Sequence, residues 1–272
     1  MKYLSYTLFI TAMLLQAAFA FKVEEKHIYS QVMNREIPAI FILPDSYSDS
    51  TTSFPVVYLL HGYGGNYRNW VDRTTVEDLA DVYNIILVCP DGSKDSWYFD
   101  SPIDPDSRYE THIAIEVVKF TDRTYRTVKS RSGRAITGLS MGGHGALFLA
   151  IRHPEVFGAA GSMSGGVDIR GSKKRWNISQ KIGSYEAYPQ RWESLSVINN
   201  IPKFKSAQLS LIVDCGVDDF FIGVNRAFHQ KLLDAHVPHD YIERPGAHNW
   251  QYWNKAVRFQ ILFFAEFFKQ GQ

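Results

Sequence analysis

Short apolar runs alternate with helix-patterned stretches along most of this sequence, and that alternation constrains the fold more than any other feature. The runs are Val56 to Leu60, Ile85 to Cys89, Ala135 to Leu139, Ala159 to Met163, Leu209 to Cys215 and His239 to Glu243. Between and after them, helical stretches are expected from Val76 to Tyr83, Tyr109 to Val128, Gly142 to His153, Gly223 to Ala235 and Asn249 to Lys269. Strands this short and this apolar are buried on both faces, and strands joined through helices pair in parallel. The expected class is therefore α/β, a mostly parallel central sheet with helices on both faces. Two earlier β-rich stretches, Lys22 to Met33 and Glu36 to Leu43, flank Asn34 and Arg35 and predict an opening antiparallel hairpin. One stretch breaks the alternation: residues 165–207 carry Gly, Ser, Lys, Trp and Pro without a long apolar period. It is expected to form a cap inserted between the sixth and seventh strands.

The chain has 272 residues, 45% hydrophobic and 21% charged, enough to bury one full core, and α/β folds of this size are commonly a single domain. Its 29 Lys and Arg balance 28 Asp and Glu, so no basic excess is available to neutralise phosphates, and nucleic acid is not an expected partner. The compact basic run Lys173, Lys174, Arg175 reads as a solvated loop. At the start, Lys2 precedes an apolar stretch from Leu8 to Ala18, which ends in the small-x-small pattern Ala18, Phe19, Ala20. Residues 1–20 read as a cleavable signal peptide, and residues 21–272 as the mature domain, secreted or periplasmic. The apolar run is shorter than the ~20 residues a span needs and is broken by Thr11 and Gln16, so no stable membrane insertion is expected.

Export permits disulfides, yet the mature chain keeps only Cys89 and Cys215, each closing a buried apolar run. In the sheet order argued below they lie four strand positions apart, ~19 Å at ~4.8 Å per strand. A disulfide needs Cα atoms within ~7 Å, so two free, buried thiols are expected.

The chemistry concentrates at strand ends. Gly138, Leu139, Ser140, Met141, Gly142 lies between an apolar run and a helical stretch, which makes it a nucleophile elbow and Ser140 the candidate nucleophile. The serine sits on a strained turn where a Cβ at either flanking glycine would crowd the backbone, and the helix N-terminus behind it favours negative charge. A serine hydroxyl needs a base. His248 follows the last strand and precedes the last helix, and no other of the nine histidines combines that order with that junction. The acid should end the penultimate strand, where Gly216, Val217, Asp218, Asp219 follow the run; Asp214 lies inside it, and only one of the adjacent pair can meet the imidazole. Two backbone amides are expected to bind the oxyanion: Met141, after the serine, and Tyr63, in the loop His61, Gly62, Tyr63, Gly64, Gly65. His61 itself is expected to be structural. The chain order serine, acid, histidine is that of α/β-hydrolases. No HExxH, zinc-spaced Cys pair or P-loop is present, and the chemistry requires no cofactor or metal.

Taken together, LLHGYGG, the CPDG turn, SWYFDSP, TGLSMGGHGAL, DCGVDDFF and PGAHNWQYW resemble the "Putative esterase" family, which includes tributyrin esterases, feruloyl esterase domains, S-formylglutathione hydrolases and mycolyltransferases. The resemblance runs through almost all of the mature chain. It implies the α/β-hydrolase strand order 1-2-4-3-5-6-7-8, places the acid at Asp219, and agrees on His248, Tyr63 and Met141. It implies a serine carboxylic-ester hydrolase acting on a small-molecule or polysaccharide ester, with a short-acyl or feruloyl ester of a carbohydrate expected. A thioesterase of the S-formylglutathione type, acyl transfer to sugar hydroxyls, and an inactive carbohydrate-binding protein are the alternatives. Ser96, Trp97, Tyr98 resembles a stretch of secreted or carbohydrate-active esterases; Trp97 and Tyr98 are candidates for substrate stacking, with Glu110 on the same side. Trp250 and Trp253 read as core residues. Trp176, Asn177, Ile178, Ser179 contains a glycosylation sequon.

Overall fold

A computed structural model describes residues 21–49 and 51–270, so the expected leader at 1–20 lies outside the described residues. One eight-stranded sheet runs in the order β1-β2-β4-β3-β5-β6-β7-β8. The strands are β1 (Lys22–Ser30), β2 (Arg35–Leu43), β3 (Val56–Leu60), β4 (Ile86–Pro90), β5 (Arg134–Gly138), β6 (Ala159–Met163), β7 (Ser210–Gly216) and β8 (Asp240–Arg244). β1 and β2 form the expected hairpin, β2 meets β4 antiparallel, and every later pairing is parallel. This is the α/β-hydrolase arrangement that the strand–helix alternation and the motif order imply.

The central strands are apolar throughout because both faces are covered. Val56, Tyr58 and Leu60 of β3 enter one core with Leu147, Phe148 and Ile151 of the helix Met141–Arg152. Val57 and Leu59 enter the other with Val76 and Ala80 of the helix Val76–Tyr83 and with Val257, Ile261 and Phe264 of the helix Trp250–Gln270. A strand alternates its side chains between faces, so two cores demand apolar residues at every position. Cys89 and Cys215 are both buried and unpaired with each other, and burial pushes both thiols above the ordinary cysteine value.

The helix expected from Tyr109 to Val128 is shorter and less regular. It begins at Tyr109, widens to a π-helical turn over His112–Val117 and ends at Thr124. Beyond it the chain is drawn into sheet-like pairing: Phe54 N–H donates to Arg126 O at 2.8 Å, and Val128 N–H to Phe54 O at 2.9 Å. Long-range pairing with a buried phenylalanine overrides helical periodicity there.

Residues between β6 and β7 form short helices at Ile178–Ile182, Pro189–Leu195 and Ile201–Ala207. They are tied to the loop after β4 by Trp97 Nε1–H donating to Trp176 O (3.1 Å), Asn177 Nδ2 to Asp95 Oδ2 (3.0 Å) and Ser101 Oγ to Lys181 O (2.6 Å). The sequon asparagine thus spends its amide on a buried carboxylate.

Candidate active site

β3 and β5 are neighbours, and the register pairs Leu60 with Gly138, so the loop after β3 and the turn after β5 leave the sheet side by side. Ser140 sits in that turn at φ 56°, ψ −115°, a conformation that costs a side-chain-bearing residue about 1–3 kcal/mol. Ser140 N–H donates to Met163 O at 2.9 Å, and Gly142 N–H to Leu139 O at 2.7 Å, which hold the turn. The glycines are obligatory: a Cβ on Gly138 would lie 2.6 Å from Gly142 O, and one on Gly142 would lie 2.5 Å from Leu60 O.

Three side chains from three separate strand ends converge. His248 Nε2 is 2.9 Å from Ser140 Oγ, and its Nδ1 lies 2.8 and 3.0 Å from the two oxygens of Asp219. Asp219 is fully buried, and the Phe221 N–H donates to its Oδ1 at 2.8 Å, so its carboxylate is held in place before any proton moves. Asp218 points to solvent, while its N–H donates to Gly246 O at 3.0 Å and stitches the acid's turn to the histidine's loop. Asp214 is buried inside β7, where it accepts from Tyr252 Oη and lies 2.8 Å from Arg244 Nη1. Burial pushes its carboxyl up to about 6, against the opposing pull of Tyr252 and Arg244.

Met141 directly follows the serine at the helix N-terminus, and Tyr63 lies in the loop after β3. Among the described residues neither amide donates to a protein acceptor, so both are free for an incoming oxygen. His61 is structural, as expected: Gly92 N–H donates to its Nε2 at 2.9 Å, and its Nδ1 lies 2.9 Å from Gly62 O. Burial lowers its pKa, with Asp91 pulling the other way, which favours the neutral ring that this pairing requires.

A cavity of about 200 Å³ opens beside Ser140 and His248. Its walls are chiefly aromatic: Trp97, Trp176, Phe220, Phe221, Trp250 and Trp253, with Tyr63 at one side. Trp97 is therefore where the sequence reading places it. Tyr98 is not: its ring fills the space over Gly92 and Gly145, its hydroxyl donates to His61 O at 2.9 Å, and no part of it reaches solvent. Glu110 is also elsewhere. It binds Arg152 Nε (2.6 Å) and His153 Nε2 (3.1 Å) at the far end of the helix that starts beside Ser140, ~18 Å away at ~1.5 Å per residue. Trp250 and Trp253, expected in the core, line the cavity while also packing inward. Trp176, Phe220 and Phe221 escaped the sequence reading. The two phenylalanines immediately follow Asp219, a position that could have flagged them; Trp176 lies in a segment whose path no local pattern specifies.

Behind Trp97, His144 is buried between aromatic rings, with Phe148 stacked on it at 5.8 Å. Its Nε2–H donates to Leu195 O at 2.9 Å, while Nδ1 has no partner among the described residues. Burial pushes its pKa down to about 4. The unfolded chain takes up this proton near the ordinary histidine value of ~6.5, so the stability is whole above that pH and is lost as pH falls toward 4. About 3 kcal/mol is at stake across the window. Denaturant unfolding of His144→Gln at pH 7 and pH 4.5 is expected to show a shallower loss than the parent by 2–3 kcal/mol, on the order set by that shift. Equal losses would place the acid sensitivity elsewhere.

Residues 30–261 match the family described as "Putative esterase". Over 252 residues the chain is 25% identical to an acetyl esterase of Caldicellulosiruptor saccharolyticus, covering 85% of this chain and 93% of that protein. It is 31% identical over 236 residues to Esterase Rv1288 of Mycobacterium tuberculosis strain H37Rv, covering 76% of this chain but about half, 51%, of that protein. The fold superposes on a ferulic acid esterase with a TM-score of 0.79 at 28% identity, covering 92% of this chain and 99% of that one. The strand order, the serine turn and the family match converge, and the chain belongs to the "Putative esterase" family as a serine-hydrolase esterase of the α/β-hydrolase superfamily.

Proposed function

We propose that this esterase hydrolyses short-acyl or feruloyl esters of carbohydrates outside the cytoplasm, through a Ser140, His248, Asp219 triad and an acyl-enzyme. The observation that carries the reading is the aromatic cavity beside Ser140, whose flat walls suit a planar acyl group or the apolar face of a sugar. The names of two relatives, an acetyl esterase and a ferulic acid esterase, point the same way.

In this mechanism Ser140 Oγ attacks the ester carbonyl and passes its proton to His248 Nε2, 2.9 Å away. Asp219 faces the imidazolium across 2.8 Å, and the Met141 and Tyr63 amides receive the negative oxygen. Collapse of the tetrahedral intermediate expels the alcohol, which takes the proton from His248 and leaves an acyl-serine. Water then repeats the sequence, and the carboxylic acid departs. Residues 165–207 act as a cap in this reading by contributing Trp176, and residues 1–20 as an export leader whose removal leaves Phe21 first.

The test compares initial rates on short p-nitrophenyl esters, methyl ferulate, acetylated xylan and S-formylglutathione, using exported protein whose N-terminus is sequenced. Preference for ferulate or acetylated xylan is expected, with Phe21 at the N-terminus. For methyl ferulate, Trp176→Ala is expected to raise KM roughly tenfold, the loss of one buried aromatic contact. Turnover confined to the thioester would overturn the substrate reading.

A further inference from the structure

The histidine of the triad is held at its two nitrogens by hydrogen bonds, but nothing polar fixes the tilt of its ring. Aromatic neighbours do that: Phe220 lies 4.2 Å away on one side, and Trp253 stands edge-on at 4.9 Å on another. Phe220 is 61% exposed and stacks on Trp176, Phe221 stands edge-on to the imidazole at 5.5 Å, and Trp253 is 6% exposed and anchored through a hydrogen bond. Its indole Nε1–H donates to Ser164 Oγ at 3.1 Å. Ser164 is fully buried at the end of β6 with φ +52°, and its own N–H donates to Asp214 O at 2.7 Å. The preceding residue of the same helix, Tyr252, is anchored to Asp214 as well. The first turn of the C-terminal helix is thus fastened to β6 and β7 through two polar side chains, immediately after the loop that carries His248.

We propose that Ser164, acting through the indole of Trp253, is a positioning residue for His248. Without the Ser164 hydroxyl a buried N–H loses its acceptor, which costs about 1–3 kcal/mol unless the group finds another. Trp253 borders the cavity, so its nearest replacement is water there. Turning toward that water removes the indole edge from the imidazole and lets the ring tilt away from Ser140 Oγ, while Trp97, Trp176, Phe220, Phe221 and Trp250 still wall the cavity. The cost therefore falls on turnover, because proton transfer depends on alignment more steeply than binding does.

The inference rests on His248 as the general base, so His248→Ala is measured alongside. Ser164→Ala is expected to lower kcat for p-nitrophenyl acetate roughly tenfold, with KM within about twofold, when rates are normalised to sites titrated by a fluorophosphonate. Trp253→Phe, which keeps a ring but has no donor, is expected to lower kcat by a similar factor, and the double variant to be no slower than the worse single one. An unchanged normalised kcat in Ser164→Ala, a loss confined to KM, or losses in the two variants that multiply would each overturn the proposal. Activity surviving in His248→Ala would instead remove the base assignment on which it stands.

Discussion

Ser140→Ala is expected to lower kcat for p-nitrophenyl acetate by roughly 10⁶-fold, the scale at which nucleophile and base act as one unit. The variant should fold normally, because the strained turn is built by the flanking glycines and by the Ser140 N–H bonded to Met163 O, neither of which needs the hydroxyl. The acid separates two adjacent carboxylates. Asp219→Asn leaves a group of the same shape facing His248 Nδ1 but removes the charge opposite the imidazolium, and roughly 10⁴-fold is expected. Asp218→Asn changes a solvent-facing side chain whose backbone N–H does the joining, and only a few-fold effect is expected. Steady-state kinetics on the three purified variants decides the matter; a larger loss at Asp218 would reverse the assignment.

Gly142→Ala should also cost much of the activity, although it removes no reacting group. The new methyl would sit 2.5 Å from Leu60 O and 2.6 Å from His61 O, both rigid backbone atoms at the end of β3. Relief requires the start of the helix Met141–Arg152 to move away from the loop carrying Tyr63, which parts the two free amides. Loss of one oxyanion donor is worth roughly 10²–10³ in kcat, and about that loss is expected with circular dichroism retained and the melting temperature lowered. Full activity in a folded Gly142→Ala would mean that the amides near Tyr63 and Met141 do not bind the oxyanion together.

The fold was legible because it rests on local periodicities. Buried parallel strands announce themselves as uninterrupted apolar runs, and the helix Trp250–Gln270 as a stripe from Trp253 through Val257, Ile261 and Phe264 to Phe268. The elbow was legible for a similar reason: Gly138 and Gly142 stand where any Cβ would meet backbone, so the constraint is written in residue type. The helix ending at Thr124 instead of running to Val128 was not, because the competing partner, Phe54, lies far away in sequence.

The same division runs through the site. The glycine-flanked elbow selected Ser140, and chain order with its strand end selected His248, because a nucleophile and its base must both leave the sheet at the C-terminal edge of its parallel strands. The choice between Asp218 and Asp219 needed family resemblance; the structure shows the physical difference, one carboxylate pointing to solvent and the other buried against the imidazole. Which aromatic residues face the cavity was decided by tertiary structure only. Trp97 and Tyr98 are consecutive and both have positive φ, yet one lines the cavity and the other bonds to His61 beneath the loop. Trp176 arrives from a segment fastened by Asp95 and Ser101, residues more than 70 positions away. A sequence records how each stretch meets its own periodicity; where an aromatic ring ends up depends on which distant backbone carbonyl or carboxylate receives its neighbours, and only the packed chain settles that.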